Sequence, residues 1–96
     1  MRAANDQEVT MPSEQNIEVI VVVSGQSERI RVNLHQTLEH LVREALQRSG
    51  NKGQAPSEWE LRREDGTLLD QGVRVGEAGI HDGMTLFLSP KAGAGG

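Results

Sequence analysis

Residues 37–50 read TLEHLVREALQRSG and carry the clearest periodic pattern in the chain. The apolar side chains recur every three or four residues, which places them on one face of an α-helix. They are Leu38, Leu41, Val42, Ala45 and Leu46. Thr37 is a suitable N-cap because its hydroxyl accepts hydrogen bonds from the first turn, and Gly50 suits the left-handed backbone that ends a helix. The stretch predicts one amphipathic helix that needs a single apolar surface to cover.

Two strands are predicted on the N-terminal side of this helix. Residues 17–23 form an almost unbroken β-branched run, which favours a strand near the centre of a sheet and covered on both faces. Residues 28–34 alternate between apolar and polar side chains, as is typical of a strand with one buried face. The loop between them, residues 24–27, is short enough to predict a hairpin.

On the C-terminal side of the helix the pattern predicts three further strands. Residues 58–64 alternate, and Asp65-Gly66 is a turn signal that leads to a short return strand at 67–69. Residues 70–79 predict an irregular connection, after which 84–89 predict the closing strand. Because one helix stripe must cover one sheet face, the order of elements predicts an α+β fold.

Composition excludes several classes of function. The 96 residues make one domain. A formal net charge of -4 argues against a nucleic-acid partner, which requires a basic surface. The absence of cysteine excludes disulfides, thiolate metal sites and a thiol nucleophile. The sequence shows neither a membrane span nor a signal peptide, so we expect a cytoplasmic protein without a membrane partner.

The two ends of the chain differ from its body. Residues 1–16 are polar and aperiodic and predict a disordered leader, so the folded domain is expected at 17–90. Residues 91–96, KAGAGG, predict a flexible tail that ends on Gly95 and Gly96. An unhindered carboxylate on Gly96 suits a protein whose C-terminus is the reacting group, and a frayed or truncated end is the alternative.

The order of elements together with the Gly-Gly end resembles ubiquitin and its relatives, which share the β-grasp fold. The motifs in register are Thr37-Leu38 with Leu41, Leu61 with Asp65-Gly66 and Leu69, Ile80 with Thr85, Leu86 and Leu88, and Gly95-Gly96. The resemblance covers residues 17–96. It implies a mixed sheet of four or five strands packed on one helix, with the first and last strands as the central parallel pair.

Finer details are similar to bacterial ubiquitin-like modifiers. They are Trp59-Glu60-Leu61, the glycine loop at 50–53, and Leu86-Phe87-Leu88-Ser89 running into Lys-Ala-Gly. Modifiers of that group are encoded beside an activating enzyme, a conjugating enzyme and a metal-dependent peptidase that removes them. They are linked to defence against phage. The resemblance therefore implies these proteins as partners.

The same resemblance implies how the tail would react. An activating enzyme would use ATP to adenylate the carboxylate of Gly96, take the acyl group as a thioester, and pass it on to a target lysine as an isopeptide bond. The chain itself would be no enzyme and would hold neither cofactor nor metal. The activating enzyme would contact Lys91, Ala92, Gly93 and Ala94 before reaching Gly95-Gly96.

The sequence departs from ubiquitin at three places. Lys91 lies one residue further from the terminus than the corresponding arginine, which puts its contact with the activating enzyme in doubt. Arg62 and Ser89 stand where two apolar members of the ubiquitin patch would be, so domains that read that patch should not recognise this chain. The leader is an addition.

Phe87 is the candidate anchor of a partner surface, because the alternation of its strand places it on the open sheet face. Arg29, Arg31 and Arg62 are predicted around it. The alternative is a single exposed apolar side chain, which is common on protein surfaces. Trp59 shares the inward parity of Leu61 and is assigned to the core.

The only lysines are Lys52 and Lys91, which are the possible acceptors if chains of this protein form. A general preference for arginine also explains their scarcity, and we expect single additions by a free monomer. Two other functions remain open. One is a sulfur carrier that ends in a thiocarboxylate, and the other is a non-covalent ubiquitin-like adaptor.

Overall fold

The computed structural model describes residues 15–91. Across residues 16–91 it contains five strands, one α-helix and one turn of 3-10 helix at Pro56–Glu58. These are β1 (Asn16–Val23), β2 (Gln26–Asn33), α1 (Leu38–Arg48), β3 (Trp59–Arg63), β4 (Leu68–Leu69) and β5 (Thr85–Pro90). Most of the predicted leader, residues 1–14, and the tail residues 92–96 lie outside the described range.

The strands form one mixed sheet in the order β2-β1-β5-β3-β4. β1 and β5 are parallel, whereas the pairs β1–β2, β3–β5 and β3–β4 are antiparallel. The predicted α+β class and the central parallel pair are confirmed.

The β1–β2 hairpin is tighter than the sequence suggested. Val23 already pairs with Gln26, so the loop contains two residues and not the four expected at 24–27. Both loop residues have positive φ, 51° at Ser24 and 83° at Gly25. Positive φ at both positions is the mark of a type I′ turn, whose twist matches that of the paired strands.

The core lies between α1 and one face of the sheet. The five apolar residues of the predicted helix stripe are all buried, and the N–H of His40 donates to the Thr37 hydroxyl as expected of an N-cap. The sheet side chains buried with them are Ile17, Val19, Val21, Val23, Ile30, Val32, Trp59, Leu61, Leu86 and Leu88. The assignment of Trp59 to the core is confirmed.

β1 is covered on one face only, and the prediction of two covered faces is wrong. Val19 and Val21 are fully buried, whereas Ile20 and Val22, on the other face, are half-buried. The reason is that one helix can cover only one side of a sheet. The β-branched run therefore leaves an apolar strip on the open face.

The connection between β4 and β5 is hydrogen-bonded to the first turn of α1. The N–H groups of Leu38 and Glu39 donate to the carbonyls of Val73 and Gln71, both at 2.9 Å. Val75 and Ile80 of this connection are both buried in the core. The connection therefore satisfies amide groups that the first helical turn cannot pair internally.

Candidate functional site

Lys91, the residue from which the tail starts and which we call the root of the tail, is hydrogen-bonded to the sheet. The pair Trp59–Pro90 is the last of the β3–β5 register, and one residue further on the N–H of Lys91 donates to the carbonyl of Glu58 at 2.9 Å. The backbone of Lys91 is therefore paired although its side chain is exposed. The other predicted tail contacts, Ala92 to Ala94, and the Gly95-Gly96 pair lie outside the described residues.

Phe87 lies on the open face of the sheet, as predicted. Its side chain is 42% exposed, while its neighbours Leu86 and Leu88 are buried. In the register it stands between Val22 on β1 and Arg62 on β3. The aromatic ring thus extends the apolar strip of Ile20 and Val22 at the middle of the sheet. Its part in partner docking stays a prediction.

The three candidate arginines share this face but do not surround Phe87. Arg62 is its direct neighbour and is held by the Glu60 carboxylate at 3.0 Å and by the Gly66 carbonyl at 2.8 Å. Arg29 and Arg31 are on β2, two strands from β5, or about 10 Å away. Arg29 lies 3.7 Å from Glu18 in an exposed ion pair. The β2 arginines therefore flank the apolar strip at a distance.

Leu68 is a surface residue that sequence reasoning missed. It is 55% exposed, and in the register it lies opposite Arg62, on the same open face as Phe87. Its neighbour Leu69 pairs with Leu61 and faces the core side. Two adjacent leucines in a strand must point to opposite faces, so one exposed leucine was foreseeable, although not which one.

A recess of about 350 Å³ opens beside the root of the tail. It is lined by Glu39, Ser57, Trp59, Glu60, Leu68, Leu69, Gln71 and Lys91. We call it the root recess. The Gln71 carboxamide nitrogen is engaged by the carbonyls of Pro56 at 3.0 Å and of Trp59 at 2.9 Å, so this donor is already used by the fold.

The two candidate acceptor lysines lie at different places. Lys52 is exposed in the loop after α1, between Gly50 and Gly53, whose φ values are 85° and 87°. Lys91 is exposed at the root of the tail. Both amines are open to solvent, and whether either is modified stays a prediction.

Among the described residues, the carboxyl with a shifted pKa lies in a turn and stabilises that turn. Asp65 in the β3–β4 turn has a lowered pKa, chiefly because its carboxylate accepts a hydrogen bond at 2.9 Å from the N–H of Thr67. This is the bond of an Asx turn. Within residues 15–91 no three histidine, aspartate or glutamate side chains converge as a metal site, and no helix has the length and apolar character to cross a bilayer.

Comparison with known sequences identifies a family and a relative of this chain. The family described as "Protein of Unknown function (DUF2604)" matches residues 12–96. A protein of Sinorhizobium fredii (strain NBRC 101917 / NGR234), described as "Uncharacterized protein y4jI", is 46% identical over 81 residues, which is 83% of this chain. The match spans 62% of the length of that relative.

Solved structures show the same fold at low identity. A protein designed on the basis of ubiquitin has a TM-score of 0.70 at 20% identity, covering 81% of this chain and 92% of its own. The N-terminal ubiquitin-like domain in the 4931431F19Rik protein has 0.67 at 16%, covering 83% and 79%. A structure described as "Molecular Mimicry of SUMO promotes DNA repair" has 0.67 at 16%, covering 77% and 90%. The fold is therefore a ubiquitin-like β-grasp, and the comparisons indicate no catalytic family.

Proposed function

This chain belongs to the family described as "Protein of Unknown function (DUF2604)", and because that description names no activity, we propose one from the fold and the tail. The protein is a ubiquitin-like modifier that is activated at the carboxylate of Gly96 and joined to target lysines. The observation that carries the proposal is the Gly95-Gly96 pair, which lies four and five residues after Lys91, a residue whose N–H is paired with the sheet of a ubiquitin-like body.

The root geometry supports delivery of this tail into a partner. Lys91 is paired to β3, so the direction in which the chain leaves the body is set by the sheet. The five residues after it have no side chain larger than a methyl group. Fully extended, five residues reach about 17 Å, and glycines pass through a narrow channel because they lack a Cβ.

The chemistry takes place in three transfers. The Gly96 carboxylate attacks the α-phosphorus of ATP on the activating enzyme and releases pyrophosphate. A cysteine thiolate of that enzyme then displaces AMP and forms a thioester. The amine of a target lysine finally displaces the thiol, loses a proton and forms the isopeptide bond. This chain has no cysteine and supplies only the acyl group.

The remaining roles follow the same proposal. Lys91, Ala92, Gly93 and Ala94 are the tail segment that the activating enzyme contacts, while Phe87 and Arg62, flanked by Arg29 and Arg31, form the docking surface for partners. Lys52 and Lys91 are the possible acceptors in chains. The system is bacterial, includes a conjugating enzyme and a deconjugating metal-dependent peptidase, and acts in defence against phage.

Intact-mass analysis tests the proposal. The chain is produced with the proteins encoded beside it, as wild type and without Gly95-Gly96. We expect isopeptide-linked adducts from the wild type and none from the shortened chain, with the same urea midpoint for both. Exchange of one oxygen for sulfur at Gly96 would instead identify a sulfur carrier. Adducts from the shortened chain, or an unchanged wild type, would contradict conjugation through this end.

A further inference from the structure

The sheet has two edges, and they differ in length. β4 forms one edge with two residues, whereas β2 forms the other with the eight residues Gln26–Asn33. A long edge strand presents a row of backbone donors and acceptors with which a further strand can pair. Within the described sheet, β2 is therefore the edge long enough to accept another chain.

The register identifies the backbone groups of β2 that point away from the sheet. Just beyond the end of the β1–β2 pair, the N–H of Leu34 donates to the carbonyl of Gln15 at 2.8 Å. In an antiparallel pair, bonded residues alternate with non-bonded ones, so the even-numbered residues of β2 are the ones bonded to β1. The odd-numbered residues Ser27, Arg29 and Arg31 therefore direct their N–H and C=O groups away from β1.

The side chains of this row carry positive charge on the open face of the sheet. Arg29 and Arg31 are both exposed, and the carboxylate beside them is Glu18, which lies 3.7 Å from Arg29 and opposite Arg31 in the register. Among the described residues, Arg31 forms no ion pair. Glu28 belongs to the other face of β2 and accepts a hydrogen bond at 2.6 Å from the Gln26 side chain. On the open face, this edge thus holds two cations for one carboxylate.

The same arginines make a second copy of the chain a poor partner for this edge. Two copies of β2 can pair antiparallel so that all three free residues of each strand are used. That register places Arg29 opposite Arg29 of the other copy, and like charges directly opposite each other destabilise a strand pair. The edge therefore disfavours self-pairing and favours a strand that carries carboxylates.

We propose that the β2 edge binds an extended segment of a protein partner that carries two carboxylates two residues apart. The segment adds a strand to the sheet and pairs its backbone with Ser27, Arg29 and Arg31. Side chains two residues apart lie on one face of a strand, so both carboxylates stand beside the two arginines. This role goes beyond the proposed conjugation, because β2 is two strands away from β5, which leads into the tail.

The test is a titration of the full chain, labelled with ¹⁵N and followed by NMR. The probe is the capped heptapeptide threonyl-valyl-glutamyl-valyl-glutamyl-valyl-threonine amide, and two matched peptides carry glutamine or lysine at both glutamate positions. We expect saturable shifts and slower hydrogen exchange at the amides of Ser27, Arg29 and Arg31. The amides of Glu28 and Ile30 should change less, because they are already bonded to β1.

The matched peptides and variants separate the charged contribution from the backbone contribution. The glutamine peptide should bind about three- to tenfold more weakly than the glutamate peptide, as expected of two cross-strand charge pairs. The lysine peptide should give no saturable shift. Arg29→Gln with Arg31→Gln should equalise the affinities of the glutamate and glutamine peptides. Arg48→Gln, which removes an exposed arginine at the end of α1, should leave the difference intact.

Three results would overturn the inference: no saturable shift along β2 with the glutamate peptide, equal binding of all three peptides, or shifts centred on Phe87. The first result would mean that the arginines only protect the edge from pairing. Removal of Gly95-Gly96 should leave the titration unchanged. The outcome is therefore independent of conjugation, and either proposal can fail without the other.

Discussion

Phe87 and Leu86 are chain neighbours with opposite surroundings, which makes them a matched pair of variants. Leu86 is fully buried, so Leu86→Ala should lower the free energy of unfolding by about 2–5 kcal/mol through the cavity it leaves. Phe87 is 42% exposed, and Phe87→Ala should cost about 1 kcal/mol. Urea unfolding followed by Trp59 emission measures both.

The same pair tests whether Phe87 docks a partner. Phe87→Ala should reduce adduct formation in the co-production experiment although the variant is close to wild type in stability. A destabilisation as large as that of Leu86→Ala would show that the ring mainly supports the core. Full adduct formation by a stable Phe87→Ala chain would remove Phe87 from the docking surface.

Leu68 shows where residue-level prediction from sequence stops. Alternation over residues 84–89 correctly placed Phe87 outside and Leu86 inside, because a strand of this length shows its period. β4 has only two residues, and two residues show no period. Which leucine faces outward is decided by the register with β3, where Leu69 meets Leu61 and Leu68 meets Arg62.

At the scale of elements, the sequence predicted each strand and the helix but not how β1 is covered. The β-branched run at 17–23 resembles a strand buried on both sides, since periodicity does not reveal what packs on each face. The number of layers decides this, and the described chain offers one helix to one face of the sheet. Ile20 and Val22 are left beside Phe87 for that reason.

The β1–β2 hairpin gives a prediction about a single element. Gly25 has a φ of 83°, and a Cβ added there would meet no atom within 4 Å. Gly25→Ala should therefore cost about 1–2 kcal/mol through backbone strain alone. Gly72→Ala is the matched control because Gly72 lies outside the left-handed region, although its Cβ would approach the Asp70 carboxylate at 3.3 Å. The midpoint temperature of thermal unfolding should be clearly lower for Gly25→Ala than for Gly72→Ala. Equal decreases in the two midpoints would contradict a type I′ turn.

At the scale of the molecule, the fold was more predictable than the root recess. The fold follows from one helix stripe, alternating strands and turn signals, each of which is local in the sequence. The recess joins side chains from the helix, the 3-10 turn, two strands, the long connection and the start of the tail. Residues 39 and 91 line one recess only when the sheet is complete, and no local pattern in the sequence predicts that they share it.

The order of the sheet also predicts where the molecule opens first. β1 and β5 have a paired strand on both sides, whereas β4 is a two-residue strand at an edge. Opening β1 or β5 must expose fully buried side chains such as Val21 and Leu86, so their amides should exchange only through global unfolding. The Leu68 and Leu69 amides need only a local opening. Native-state hydrogen exchange by NMR should give Val21 and Leu86 opening free energies equal to the unfolding free energy from urea, with β4 well below. Protection of β4 equal to that of β1 would contradict this order of opening. It would mean that the edge strand beside the root recess is as rigid as the core.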